Sequence, residues 1–458
     1  MPGGFSTEIA MTTAPAILTA PAALTAENFH ARRQRLMAQL PQDAAALVLS
    51  SGLAQRNRDS EYAFRQNSDF HYLTGWPEPE AALLLLPGRA EGESVLFCQE
   101  KDPLAEAWTG IRVGAEGAVA EAGFDQAFTN DARDEVLAGL LDGRQRLYVL
   151  FEDEEALVLA QSLREELAAG VRRGARPPSA FEDLAPLLHE QRLIKDEREI
   201  ALMRHAAEIS ARAHVRAMQI SRAGLHEYHL QAEIEHEFQW QGAPAPAYTS
   251  IVGGGGNACV LHYIENRAPL VEGELVLIDA GAEFALYAGD ITRTFPVNGR
   301  FSEPQRLLYD VVLKAQERAI AAVVPGATLV GIHQQVVHDL TTGLVELGLL
   351  TGDVDELIGD EAYRRFYLHS TSHWLGLDVH DVGSYRENGE PRPLVPGMVL
   401  TVEPGLYIPD EADIPREYRG IGIRIEDDVV VTGNGHEVLS HGVPKSVAAI
   451  EALMREGA

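Results

Sequence analysis

At 458 residues the chain is longer than one hydrophobic core usually serves, which predicts two or three domains. Hydrophobic residues make up 46% and charged residues 23%, which argues against a long disordered chain and allows a large core. The 38 Lys+Arg against 68 Asp+Glu give a net charge of −30, which repels a phosphate backbone and argues against nucleic acid as a partner.

The first thirty residues are apolar and rich in Ala, Thr and Pro but hold no Lys or Arg before Arg32, so the basic region of a secretory signal is missing. Residues 1–25 read as a flexible extension. Residues 26–178 alternate short apolar runs with amphipathic segments and read as an α/β domain. Strands are expected at Ala44–Ser50, Ala81–Leu86, Ser94–Cys98 and Leu147–Phe151, and helices at Asn28–Leu40 and Asp153–Ala169. Arg172–Pro178 gathers arginines, a glycine and two prolines and reads as a linker.

Residues 184–458 read as a larger α+β domain. Helical spacing covers Ile194–Arg222, His226–Gln241, Pro304–Val323 and Val330–Leu347, with apolar strands and glycine turns between and after. No stretch has the length of a membrane span. Cys98 and Cys259 lie far apart and outside any CxxC spacing, which argues against a disulfide framework and fits a reducing, cytoplasmic setting.

One pattern occurs twice in this larger domain. Gly273–Gly281 and Gly397–Gly405 each give a glycine, an apolar run, an acid six positions on (Asp279, Glu403) and a glycine two later. Each is followed by a strand-like run with a further acid, Asp290 in Tyr287–Val297 and Glu426 in Ile421–Val431. The domain therefore reads as two related halves, each delivering two acids to one place.

A carboxylate at the end of a buried strand costs several kcal/mol unless something neutralises it. For either acid alone, an ion pair or a helix cap would serve. Three imidazoles, His369, His373 and His380, fall within twelve residues and shift the balance toward metal. Asp279, Asp290, His373, Glu403 and Glu426 offer four negative charges and one nitrogen, a set that matches two divalent cations bridged by a hydroxide. Oxygen-rich ligation favours Mn2+, with Co2+, Mg2+ or Zn2+ as substitutes. The chemistry implied is hydrolysis.

Leu277-Ile-Asp279-Ala-Gly, Gly289-Asp290-Ile-Thr-Arg-Thr-Phe-Pro, His369–Asp381, Thr401-Val-Glu403-Pro-Gly-Leu-Tyr407 and Gly420–Asp428 follow one another in order. On these motifs the chain resembles aminopeptidase P, the Xaa-Pro aminopeptidases of the pita-bread metallopeptidases. The resemblance implies a creatinase-like α/β N-terminal domain followed by a pita-bread catalytic domain, and peptides with proline at position 2 as substrates. It places Asp279 on one metal, His373 and Glu403 on the other, and Asp290 with Glu426 between them. It makes Glu403 the proton shuttle and sets His262 and His380 on the reacting carbonyl and substrate. His369, Arg424 and Tyr407 would shape the proline pocket. It further implies a homodimer or homotetramer, with Arg172 reaching a neighbouring subunit, and puts His71 where similar enzymes often carry a tryptophan of the substrate wall.

Three competing readings differ in checkable ways. A prolidase would cleave only dipeptides, and the His373-Trp-Leu-Gly-Leu377 run leans away from it. A creatinase would lack the ligand set. A non-catalytic protein-binding module would have lost ligands. Gly253–Gly256 lacks the Gly-Lys-Ser/Thr of a phosphate loop and reads as a mobile turn before the strand bearing His262. His226-Glu-Tyr-His229 spaces its histidines three apart, one short of a zinc-protease helix, and reads as helix surface. Asp353, Asp355 and Glu356 lack the spacing of a calcium loop.

Overall fold

The computed structural model describes residues 16–456. The first fifteen residues of the expected extension lie outside the described residues. Residues 16–25 form no helix or strand, yet they are fastened to the second domain. The Leu18 N–H donates to Gln241 Oε1 at 2.8 Å, and the Ala16 carbonyl accepts from Arg212 Nη1 at 2.7 Å and from Gln241 Nε2 at 3.2 Å.

The first domain is built on a six-stranded mixed sheet in the spatial order Gln126–Thr129, Ser94–Cys98, Ala82–Leu85, Ala44–Leu49, Arg146–Val149, Ala180–Asp183. Ala44–Leu49 is apolar at every position because both faces of the sheet are covered. Its alternate residues go to different cores: Ala44, Ala46 and Val48 to one, Ala45, Leu47 and Leu49 to the other, as a period of two requires. Ala180–Asp183 pairs in parallel with Arg146–Val149. The sheet thus continues past Arg172–Pro178, and that segment, expected to link domains, is a loop leading into the edge strand. The crossing to the second domain runs through the helix Ala185–Leu193.

The second domain repeats one plan. Helices Glu197–Ile220 and Glu227–Trp240 precede a sheet of Ile251–Gly254, Leu275–Asp279 and Thr292–Pro296. Helices Glu303–Ala321 and Leu329–Glu346 precede a sheet of Val399–Val402, Asp427–Thr432 and Gly435–Val438. Asp196 starts the first of these helices with a capping box to Glu199. Both helix pairs and both sheets share one hydrophobic core.

Register brings the acids together. Asp279 pairs with Thr292, two residues after Asp290, while Val402 pairs with Asp427, so Glu403 and Glu426 extend that ladder by one step. The halves meet where Thr294 Oγ1 donates to the Arg424 carbonyl at 3.0 Å and the Glu426 N–H donates to the Thr292 carbonyl at 3.1 Å. The glycine of each repeated motif now has a reason. A Cβ on Gly281 would lie 1.6 Å from the Gly289 carbonyl oxygen, and one on Gly405 would lie 2.8 Å from the Ile423 carbonyl oxygen. In each half the opposite backbone passes too close for any side chain.

The domain junction is charged and buried. Arg192 donates to Asp69 at 2.8 Å, Asp378 at 2.7 Å and Asp381 at 2.6 Å, and Lys195 donates to Asp381 at 2.7 Å. Burial alone would push the Asp69 and Asp381 carboxyls up. Arg192 with His189 at Asp69, and Lys195 with Arg192 at Asp381, more than reverse it and hold both below the ordinary range.

Candidate metal centre and active site

Asp279, Asp290, His373, Glu403 and Glu426 line a single cavity of about 880 Å³, and His262, His369, His380 and Arg424 line it with them. Ligand atoms of Asp290, His373 and Glu426 all fall within 4.8 Å of one another. His373 Nε2 is 3.4 Å from Asp290 Oδ2 and 3.5 Å from Glu403 Oε1. Its Nδ1 lies 3.0 Å from the Trp374 carbonyl, which fixes the proton on Nδ1 and turns Nε2 toward the carboxylates.

The electrostatics of the five groups are those of a cage short of positive charge. Burial disfavours the charged form of Glu403, and despite His373 and Arg424 its carboxyl is pushed up to about 7. Burial and the neighbouring Asp290 drive Glu426 well above the usual range, and burial likewise raises Asp290. His373 resists burial because Asp290 and Glu403 hold a proton on it, which raises it to about 9. Asp279 is the exception: burial opposes its charge, but Arg424 Nη2 at 2.5 Å and the Tyr248 hydroxyl hold it down. Asp290 and Glu426 therefore lack a fixed cation, and His373 points Nε2 among them, where a metal in place of its proton would find a nitrogen donor. The donor set fits divalent metal.

A second group stands beside the cage. Arg424 Nη1 donates to the Tyr407 hydroxyl at 2.9 Å, and that hydroxyl lies 2.8 Å from His369 Nε2. His369 Nδ1 lies 2.8 Å from the Ser370 carbonyl, so Nδ1 carries the proton and Nε2 accepts from Tyr407. Burial, helped by Arg424, keeps the imidazole neutral by lowering it to about 3. Tyr407 itself does not line the cavity; it braces His369 and Arg424 from behind. Arg424 also spends Nε on Thr292 Oγ1 at 3.1 Å, and Thr292 in turn donates to Glu426 Oε2 at 2.6 Å. His380 is exposed at the cavity wall, its ring edge-on to His373 with centroids 4.4 Å apart.

His71 and Arg172 do not line the cavity. His71 sits in the helix Ser68–Thr74 and packs edge-on against Phe29, and Arg172 is exposed on the turn Val171–Arg173. His262 lies on a turn rather than a strand, and Gly253–Gly256 is divided between a strand end and the 3-10 helix Gly255–Cys259 instead of forming a mobile turn. Sequence reasoning passed over Tyr248, whose hydroxyl reaches both Asp279 Oδ1 and Asp290 Oδ1, and His333, which lines the cavity with Nδ1 2.8 Å from Thr371 Oγ1. Tyr248 stands in no motif. His333 lies on the polar side of an otherwise ordinary amphipathic helix.

Paired inward-facing acids, one imidazole ligand and a large open cavity in a domain of two related halves define a metal-dependent hydrolase of the pita-bread type. A model of metallopeptidase family M24 matches residues 201–433, and one of the aminopeptidase P N-terminal domain matches residues 29–149. The Xaa-Pro aminopeptidase of Escherichia coli (strain K12) is 48% identical over 430 residues, 93% of this chain and 97% of that protein. Xaa-Pro aminopeptidase 3 of Homo sapiens is 35% identical over 435 residues, 92% of this chain and 84% of that protein. The structure of the Pseudomonas aeruginosa aminopeptidase PepP superposes with a TM-score of 0.94 at 52% identity, covering 95% of this chain and 99% of that one. The chain belongs to metallopeptidase family M24 and is a hydrolase.

Proposed function

We propose that this hydrolase is a metal-dependent aminopeptidase that removes the residue preceding proline from the N-terminus of peptides. The observation that carries it is the union of the five-group cage with His262, His380 and the His369–Tyr407–Arg424 wall around one cavity. At about 880 Å³ the cavity lies near the top of the roughly 300–1,000 Å³ range of small-molecule sites, which favours a peptide over a dipeptide.

Asp279 would hold one cation, His373 and Glu403 the other, and Asp290 with Glu426 would face both. When bound, the two cations supply Lewis acidity and a water acidic enough to act as nucleophile near neutral pH. Glu403 would carry the proton on its carboxylate oxygen, His262 and His380 would donate N–H bonds to the oxygen of the scissile carbonyl, and the neutral His369 would border the proline ring. Such a site needs no N–H from the scissile amide, which an Xaa-Pro bond lacks.

The oxygen-rich donor set supports manganese as the resident metal, with cobalt, zinc or magnesium as substitutes. Two unpaired cysteines support a cytoplasmic location, and none of the described helices is long and apolar enough to cross a membrane. A homodimer or homotetramer is proposed, with the exposed Arg172 reaching a neighbouring subunit.

The test compares an Xaa-Pro-Yaa tripeptide with the Xaa-Pro dipeptide and an Xaa-Ala-Yaa control on metal-loaded protein, alongside Glu403→Ala. Release of the first residue from the tripeptide, little from the other two and none with the variant is expected. Preferential cleavage of the dipeptide would make the protein a prolidase instead.

A further inference from the structure

The helix motif His226-Glu-Tyr-His229 binds no metal in this reading, yet its glutamate is completely buried. None of the ion pairs among the described residues includes Glu227. Its compensation comes from four hydrogen-bond donors, all in one stretch of chain. Oε1 accepts from the Gly254 N–H at 2.8 Å and from Asn257 Nδ2 at 2.9 Å, while Oε2 accepts from the Tyr263 hydroxyl at 2.9 Å and from the Ala268 N–H at 2.8 Å. A buried carboxylate without a cation is tolerated only when such donors fill its lone pairs.

Those four donors bracket His262. The imidazole is exposed at the cavity and has no hydrogen-bond partner among the described residues, so nothing but the backbone of its loop aims it. A second anchor closes the loop: Asn266, buried and left-handed at φ 50°, accepts from the Val252 N–H at 2.9 Å and donates to the Ser250 carbonyl at 2.8 Å. Tyr263, next to His262, ends on Glu227.

We propose that Glu227 is a positioning residue for catalysis, a buried carboxylate that folds residues 254–268 into the one shape that presents His262 to the substrate. The inference rests on His262 contacting the substrate, as set out above. A glutamine at 227 keeps the shape but replaces one acceptor oxygen with an N–H2 group facing two donors, so two of the four bonds are lost and the loop shifts.

The experiment is a double-mutant cycle on the metal-loaded enzyme with an Xaa-Pro-Yaa tripeptide, using Glu227→Gln, His262→Ala and both together, with kcat and KM read separately. Misplacement of a substrate-contacting group by about 1 Å costs on the order of a hundredfold, so Glu227→Gln should lower kcat/KM by roughly ten- to a hundredfold. In the His262→Ala background the same change should do almost nothing. An equal loss in both backgrounds, or full activity of a folded Glu227→Gln protein, overturns the proposal. Should Glu227→Gln fail to fold, Tyr263→Phe removes a single bond and the same cycle decides: a loss that vanishes with His262→Ala supports positioning, and one that persists, or no loss at all, refutes it. Full activity of His262→Ala by itself would instead remove His262 from the proposed site.

Discussion

His369 and His373 flank the same carboxylate and are held in opposite states. Both have Nδ1 tied to a backbone carbonyl, but His369 turns Nε2 to the Tyr407 hydroxyl, which Arg424 also holds, while His373 turns it to Asp290 and Glu403. The first is kept neutral and the second protonated until metal takes the proton's place. A pH prediction follows from the direction of these shifts. Glu403 rises from 4.5 to about 7 on folding without metal, and Asp290 and Glu426 move the same way, so the folded chain binds protons that the unfolded chain has already released. His373, raised from 6.5 to about 9, acts in the same sense. Stability of the chelated protein should therefore fall as pH climbs from about 5 to about 9, while the metal-loaded protein changes less. Thermal melts with and without chelator across that range check this; a chelated protein that gains stability with rising pH would refute the charge-poor cage. Asp279 and Glu403 stand out in sequence because they end apolar runs, and His373 because three imidazoles crowd within a dozen positions; the structure adds that all three line one cavity. Tyr248 and His333 do not stand out, since a single phenol or imidazole carries no spacing until the fold supplies its neighbours.

Among elements, the long helices of the second domain were readable in sequence. Glu197–Ile220, Glu227–Trp240, Glu303–Ala321 and Leu329–Glu346 lie within three residues of the expected bounds, because long amphipathic periods and caps such as Asp196 set them. The duplicated motif was visible as letters, but the meaning of its second glycine was not, since that comes from a strand distant in space. Gly281→Ala should be among the most damaging small substitutions, as its methyl would meet the Gly289 carbonyl and push apart the two turns that carry Asp279 and Asp290. Such backbone strain is expected to cost several kcal/mol and to lower metal content together with activity. A Gly281→Ala protein with normal melting temperature and full metal content would show that the turn can relax. Short elements such as Gln55–Asn57 and Ala180–Asp183 escaped sequence reading because two to four residues show no period.

Across the whole molecule, Arg172–Pro178 has the composition of a linker, yet the sheet's edge strand Ala180–Asp183 lies beyond it, just before the second domain expected from residue 184. The two bodies share a hydrophobic cluster, and the buried network around Arg192 and Lys195 ties them further and holds Asp381 next to His380. Breaking one partner of a buried pair commonly costs about 3–5 kcal/mol because the others are left uncompensated. Arg192→Met should therefore lower the melting temperature and, through the His380 loop, raise KM. The pH behaviour has the opposite sign to that of the metal cage. Asp69 and Asp381 are held below their ordinary values, so their contribution is present above about pH 4 and disappears as pH falls through their folded values. Acid titration followed by fluorescence should show this loss in the native protein and a weaker one in Arg192→Met; identical curves would mean the network adds nothing to acid resistance.

The stretch at residues 16–18 gives this arrangement a mechanical property. Because Ala16 and Leu18 are tied to Arg212 and Gln241, the polypeptide touches the catalytic body before it enters the first domain and again when it leaves through Ala185–Leu193. A domain fastened at both ends cannot swing open about one pivot like a door. Opening it would require release of the clasp at Gln241 together with the ties from Arg32 to Tyr287 and from Arg65 to Glu283 that cross between the two bodies.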